Sequence, residues 1–510
     1  MNKLCTIFVE DIIKVKTTDI PSVVIIGAGI SGLNMAMYLK KRLNFHNFII
    51  IEGEKDVGGT WLVNTYPGAA CDVNSHVYAY YENLNPEWSS NYSGYKEIQQ
   101  YLSGTADKFD LKSHIKFNTW VTKARFDTTK NVWNINYLEK DTQQKAELSC
   151  NYLIGGVGGL RIPNVPEVFT KFEGPWVHSA RWDHSIDLKD KVVGIIGSGA
   201  SAVQIVPNIV SEVKELHVFQ RSAPYVVPKG IADYSPWMKF LLKWIPFFQT
   251  LYYWYFFLKD EKDLIAFYTD SWASKMATQE TEKYIKESFT DPVKAELMIP
   301  KYHFGCKRVT PADEYYKAID NPKSFIHDGN IDRVEGKTLY MKDGTSQTVD
   351  VLILATGFNV SNPYKDIDIA NLDGEHIDTN LDKQGRTPQL NYGITVGKVP
   401  NFFMMLGPTT GLGHNSITFI LECQANYITK MLKHALYNNV ARIELKQEVA
   451  DAYWQWVQRR VKPMVWYGNC KSWYQNTNGE VIAIWPGTCL EYWWKTYSPK
   501  YSEYDMIYKA

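Results

Sequence analysis

Neither sign of charge is in surplus in this sequence: 55 Lys and Arg are matched by 55 Asp and Glu over 510 residues. A chain without a net field does not draw in a polyanion, so nucleic acid is excluded as an expected partner. Low-complexity tracts and fixed-period repeats are missing, and a hydrophobic content of 45% excludes wholesale disorder. No CxxC occurs. The seven cysteines, Cys5, Cys71, Cys150, Cys306, Cys423, Cys470 and Cys489, are odd in number and scattered. A disulfide framework or a zinc site is therefore not expected, and a reducing, cytoplasmic setting is the simplest expectation. The opening MNKLCTIFVEDIIKVK holds Glu10 and Asp11 and no long apolar run, so it does not read as a signal peptide. The closing YDMIYKA carries no recognisable address. Long uncharged apolar runs are lacking too. The most apolar stretch, Trp237 to Leu258, is broken by Lys239, Lys243, Pro246 and Gln249. That argues against a membrane span and for packed helices of a soluble insert, with contact at a membrane surface as the less favoured alternative.

What is present is enough apolar material for a large core, in two to four packed units by length. Tyr, Phe and Trp number 33, 22 and 17, which suits stacking on a flat ligand and equally a bulky core. Val23 to Ile26 is an apolar β-branched run that enters Gly27-Ala28-Gly29-Ile30-Ser31-Gly32 directly. Leu33, Ala36, Met37 and Leu39 then recur at helical spacing, and Phe48 to Ile51 reads as a second buried strand ending at Glu52. This is a βαβ unit with the GxGxxG fingerprint. Gly27 permits the tight turn, Gly29 lets backbone approach a pyrophosphate, and Gly32 lets helix and strand pack closely. Glu52 stands 20 residues after Gly32, where an acid accepts hydrogen bonds from ribose hydroxyls.

A second unit starts at Lys191. Val192 to Ile196 is its strand, Gly197-Ser198-Gly199-Ala200-Ser201-Ala202 its turn, and Leu216 to Phe219 its next strand. That strand is followed by Arg221 and Ser222 in place of an acid, which suits a 2′-phosphate and favours NADP(H) over NAD(H). The two fingerprints lie 170 positions apart, too far for adjacent units of one sheet. The expected fold is α/β, with two Rossmann-like dinucleotide-binding domains, for FAD and NADPH. Residues 20–160 form the first part of the FAD domain. Residues 161–379 form the NADPH domain with a helical insertion at about 230–300, and 380–510 return to the FAD domain. Flavin disulfide reductases share this plan but need a cysteine pair beside the flavin, where Cys71 stands alone.

Four further segments give the chain a resemblance. They are Gly58-Gly59-Thr60-Trp61 through Tyr66-Pro67-Gly68-Ala69-Ala70-Cys71-Asp72; Phe172-Glu173-Gly174-Pro175-Trp176-Val177-His178-Ser179-Ala180-Arg181-Trp182-Asp183; Gly305-Cys306-Lys307-Arg308; and Leu354-Ala355-Thr356-Gly357-Phe358. In these the sequence resembles the flavin-dependent class B monooxygenases, and among them the Baeyer–Villiger monooxygenases, from about Pro21 to Tyr497. The second segment matches the FxGxxxHxxxW(P/D) fingerprint of that group.

The resemblance implies a reaction in which reduced flavin takes up dioxygen as a peroxyflavin, which inserts one oxygen atom into a ketone to give an ester or lactone. It implies that Arg308 is the catalytic cation and Asp72 the acid paired with it. It places Lys307 with Arg221 and Ser222 on the 2′-phosphate. Thr60, Trp61 and Tyr78 fall on the flavin, Ala70 and Cys71 beside the nicotinamide, and Asn415 and Ser416 near the isoalloxazine. His178 and Trp182 fall on the connector between domains, His178 as a hinge residue ahead of a proton-transfer group. Trp485 falls on a loop over the substrate, or else in a packed aromatic turn. No metal is implied. One departure is Gly155-Gly156-Val157-Gly158-Gly159, where the family often has ATG. The competing readings are N- or S-oxygenation on the same fold, and a non-catalytic flavin-binding redox sensor.

Overall fold

Short runs of β-branched residues without polar alternation belong in a sheet covered on both faces. The computed structural model describes residues 22–360, 363–378, 381, 388–468, 470–476 and 478–509. The opening segment read for a signal peptide lies outside the described residues, as do residues 379 and 380 at the expected boundary. In the first sheet, β1 (Val23–Ile26) runs parallel to β2 (Phe48–Ile51) and β3 (Tyr152–Gly155), with Val24 opposite Ile49 and Leu153. Helix α1 (Ile30–Leu43) makes the crossover and buries Leu33, Ala36, Met37 and Leu39 against Val23 and Ile25.

The second sheet is all parallel. Its strands are β4 (Trp176–His178), β5 (Val192–Ile196), β6 (Glu215–Gln220), β7 (Ser324–Asp328) and β8 (Val351–Leu354), in the order β7-β6-β5-β8-β4. Helix α2 (Ala200–Ile209) closes its first crossover and buries Ala202, Val203 and Val206. The reversal of strand order between β5 and β8 leaves a crevice at the carboxyl ends of the strands, where nucleotides bind in such sheets. The chain then comes back. Strand β9 (Phe402–Met404) pairs in parallel with β3, Phe403 opposite Ile154, and the first sheet becomes seven-stranded.

The return begins earlier than residue 380. Asp368–Ile369 already pairs with Thr119–Asp127, a strand of the first domain's antiparallel layer, and Tyr364 and Ile367 pack with Val24 and Leu153. No glycine or proline cluster marks that crossing, so composition placed the boundary too late.

Between β6 and β7 lies the helical insert: α3 (Pro236–Trp244), α4 (Phe248–Lys262) and α5 (Trp272–Ser288). Ser235 and Ser271 accept hydrogen bonds from the first-turn N–H groups of α3 and α5. Tyr253 and Phe257 of α4 turn inward against Val77, Leu412 and Phe419. The C-terminal part adds α6 (Ile417–Tyr437), which packs along α1, then α7 (Gln447–Val461) and α8 (Cys489–Thr496). Among the described residues no helix is long and apolar enough to cross a membrane.

Candidate active site

Gly27 turns the chain at φ +99°, and a Cβ there would lie 2.7 Å from the Gly156 carbonyl oxygen. The Gly155-Gly156-Val157 departure therefore keeps the tight approach through backbone alone. A Cβ on Gly32 would lie 1.8 Å from the Gly27 oxygen, so α1 can start here only on glycine. Gly29 precedes α1, no side chain caps the helix, and Ser31 is buried in its first turn. Gly199 stands likewise before Ala200 and Ser201 of α2, again without a side-chain cap, and a Cβ on it would meet nothing within 4 Å. Uncapped first-turn N–H groups behind a glycine suit a pyrophosphate. Gly59 faces Gly29, its Cβ position 3.0 Å from the Gly29 Cα, which keeps the first cradle narrow and free of side chains. These residues fit the two dinucleotides.

Glu52 is buried at the end of β2, and its carboxylate accepts from the backbone N–H groups of Ala28 and Glu54. Burial pushes its carboxyl up, and those two N–H groups oppose the shift. Thr60 opens a short helix, Thr60–Val63. Trp61 donates its indole N–H to the Tyr78 hydroxyl at 3.1 Å, and the two rings meet edge to face at 5.6 Å. They form an aromatic wall on the segment that follows Gly59.

The YPG turn docks the two domains. Gly68 sits at φ +79°, where a Cβ would lie 2.6 Å from the Gln204 carbonyl of α2. Tyr66 donates to the Gln204 side chain at 2.8 Å, with Ser201 alongside, and the Gln204 amide donates to Ala70 O at 2.9 Å. Asp72 follows directly. The Arg308 Nε donates to its carboxylate at 2.9 Å, and another guanidinium N–H donates to Leu412 O at 3.1 Å. Each side chain of the pair is about a quarter exposed. Burial alone would raise the Asp72 carboxyl, but the Arg308 charge and hydrogen bond outweigh it and hold it below the usual carboxylate range. Burial disfavours the charged guanidinium, yet Asp72 shifts Arg308 upward, so it stays a cation. Burial and the Asp72 charge push the neighbouring Cys71 thiol up to about 12, so it is no thiolate at working pH.

On the second unit, Gly197 at φ +110° approaches Ala355 O, and Ser198 donates to Ser222 O at 2.8 Å. Lys307 donates to the Ser222 hydroxyl. Burial lowers the Lys307 ammonium, and repulsion from Arg221 lowers it further. A cation on a hydroxyl, with the Arg221 charge near enough to act on it, suits a dianion such as a 2′-phosphate.

His178 has both ring nitrogens in use. Nδ1 accepts from Ala180 N at 3.1 Å, and Nε2 pairs with Gly357 O at 3.1 Å. Burial holds its pKa below the usual range, with the Gly357 contact opposing. It thus ties the long fingerprint to the ATGF turn and has no lone pair free for proton transfer. Gly174 fits under the Phe172 ring, and Trp182 packs into the second core. Asp183 is exposed and closes its own turn by accepting from Ser185.

Trp485 differs from the expectation of a loop over substrate. It is fully buried, packs tilted against Trp456 and edge to face with Tyr492, and donates its indole N–H to Thr488 O at 2.9 Å. The packed-turn alternative describes it.

The cysteine expectation also needs correction. Cys306 and Cys470 form a disulfide across 164 residues. They meet because the loop after α7 folds over the Gly305 turn, where Trp466 donates its indole N–H to Gly305 O at 3.0 Å. Neither spacing nor local pattern announces this.

Sequence reasoning passed over Lys229 and Glu261. Lys229 adds a second positive charge near Asp72. Glu261 reaches in from α4. Its carboxylate accepts from Asn415 Nδ2 at 3.0 Å and Cys489 N at 3.1 Å, and lies 3.3 Å from His414 Nε2. These donors satisfy it without an ion. It holds Asn415 in place, while Asn415 Oδ1 accepts from Ser416 N and Ser416 caps α6. An acid in an aromatic helix was the available signal.

Taken together, two phosphate cradles, an aromatic wall, and a cation clamped between the domains define a flavoprotein monooxygenase that draws on a nicotinamide. Comparison with known proteins agrees. A model of the flavin-binding monooxygenase-like family matches residues 21–436. A Baeyer–Villiger monooxygenase of Pseudomonas aeruginosa is 33% identical over 91% of this chain and 87% of its own. One from Streptomyces coelicolor is 32% identical over 96% and 93%. The crystal structure of OTEMO in complex with FAD and NADP superposes with a TM-score of 0.84 at 25% identity, covering 96% of this chain and 99% of that one. The chain belongs to the flavin-binding monooxygenase-like family.

Proposed function

We propose that this FAD- and NADPH-dependent monooxygenase, of Baeyer–Villiger type, inserts one atom of dioxygen beside the carbonyl carbon of a ketone and yields an ester or lactone. The Arg308–Asp72 pair carries the reading. Reduced FAD, when bound, supplies the activated oxygen. The chain's part is electrostatic and positional. Arg308 is a permanent cation in a half-closed site, where it favours negative charge developing on oxygen far more than it would in water. Asp72 fixes the guanidinium plane and offsets its desolvation, and Leu412 O holds a further N–H. Lys307, Arg221 and Ser222 would hold the 2′-phosphate of NADPH, with Lys307 already on the Ser222 hydroxyl, and the hydrogen-bonded Trp61 and Tyr78 would flank the flavin.

Arg308→Ala should lower ketone oxygenation by about 10²–10³-fold, the usual loss when one stabilising donor is removed. Product analysis by mass on linear, cyclic, aromatic and steroid ketones, with a thioether beside them, tests the reading. Ester formation that survives Arg308→Ala overturns the role of Arg308. Oxidation of the thioether with failure on every ketone points instead to heteroatom oxygenation. NADPH consumption without any oxygenated product points to a redox sensor.

A further inference from the structure

The α3–α4 arm has one side that the fold leaves bare. Trp237, Phe240 and Trp244 on α3, Phe247 at the break, and Leu251 and Tyr255 on α4 are each 46–75% exposed. Within each helix they recur every three or four residues, so each helix carries one bare stripe. The opposite side is in the core: Leu242, Tyr253 and Phe257 are buried. Phe247 sits at φ +64°, after Pro246, at the break between the helices, and α4 packs against α3. Isolated apolar residues on a surface are ordinary, but a contiguous stripe of large rings is not.

The exposed charge of this arm is mostly positive. From Pro236 to Lys262 there are four lysines, Lys239, Lys243, Lys259 and Lys262, against two acids, Asp260, which is half-buried, and Glu261, which is buried. The Lys243 and Lys259 ammonium groups lie 5.6 and 5.9 Å from the Trp244 and Phe256 ring centroids. Glu87 pairs with Lys243 at 2.7 Å and offsets one charge at the edge. We propose that this arm lies on the surface of a lipid bilayer bearing anionic headgroups, its aromatic stripe in the interfacial region and its lysines against phosphate.

The composition selects that occupant: exposed aromatic rings rimmed by lysine are what a helix lying in a bilayer interface presents. A second copy would bring the same lysines to this face, while the arm's acids, half-buried Asp260 and buried Glu261, are not placed to pair with them. The arm lies on the bilayer rather than through it, since neither helix is long and apolar enough to span. The other side of α4 touches the candidate site, where Asn415 Nδ2 donates to Phe257 O at 3.1 Å. One helix therefore separates the bilayer from the reaction site, a short path for an apolar substrate held in lipid.

The test is flotation of the flavin-loaded full chain with vesicles of equal parts phosphatidylcholine and phosphatidylglycerol, beside vesicles of phosphatidylcholine alone. The chain should float with the anionic vesicles, and less with the neutral ones or in high salt. W237Q/W244Q/L251Q/Y255Q should cut the floated fraction by about tenfold and leave flavin content and NADPH oxidation unchanged, because all four side chains are exposed. K239E/K243E/K259E should abolish the preference for anionic vesicles. A parent chain that stays with the buffer in every composition overturns the proposal. So does a fourfold variant that floats like the parent, or a parent dimer that this variant dissolves while vesicles capture nothing. Flotation reads no oxygenated product, so its result is separate from the fate of the ketone reading.

Discussion

Gly27 and Gly197 stand at the same point of two βαβ units, and a side chain at either would strike a carbonyl, Gly156 O at 2.7 Å or Ala355 O at 2.4 Å. The sites then diverge at two places. Where the first loop needs Gly32, with 1.8 Å to the Gly27 oxygen, the second accepts the methyl of Ala202, fully buried in the core. Where β2 ends on buried Glu52, β6 is followed by Arg221 and Ser222 with Lys307 alongside. The backbone in both units solves the same steric problem. The residue after the second strand decides whether the site reads a hydroxyl with an acceptor or a phosphate with cations.

The strongest break of this comparison is Gly32→Ala. It should leave a colourless protein or none, read as flavin absorbance per chain, while the reciprocal Ala202→Gly keeps its flavin and loses about 1 kcal/mol of stability in urea melts. Next, Arg221→Ala combined with Lys307→Ala should raise KM for NADPH on the order of 10–100-fold and leave that for NADH within about threefold, in steady-state cofactor oxidation. A smaller effect lies in pH. Burial and Arg221 lower the Lys307 ammonium, so it loses its proton below the ordinary lysine range as pH rises. KM for NADPH should therefore climb in the alkaline limb, and Lys307→Arg should flatten that climb.

The smallest effect belongs to Glu52. Its folded carboxyl is raised, so the stability it contributes is full below the ordinary glutamate range and falls as pH rises through the folded value. Glu52→Gln should thus raise the melting temperature of the flavin-free chain at neutral pH and weaken flavin binding about tenfold in titration.

Much of this was legible because it is local. Each glycine loop announces itself through a strand before it, a helix after it and a charge at a set distance. Asp72 and Arg308 lie 236 residues apart, and only the family resemblance brought them together ahead of the fold. What stayed hidden depends on which surface docks on which. Cys306 and Cys470 meet through the packing of Trp466 on the Gly305 turn. Trp485 is drawn inward by Trp456 and Tyr492, which no spacing relates to it. The return at Asp368 follows from a two-residue pairing too short to mark a pattern. Glu261 is visible as an acid at the end of an aromatic helix, but nothing local relates it to Asn415, 154 residues on, which it anchors.

The Cys306–Cys470 bond has a mechanical consequence. It staples the residue two before Arg308 to a loop of the C-terminal part. It thereby ties the segment that carries Lys307 and Arg308, and through Lys307 the Ser222 hydroxyl, to the C-terminal part. Reducing the bond with a dithiol removes that tether and leaves Asp72 and Leu412 O to hold the guanidinium.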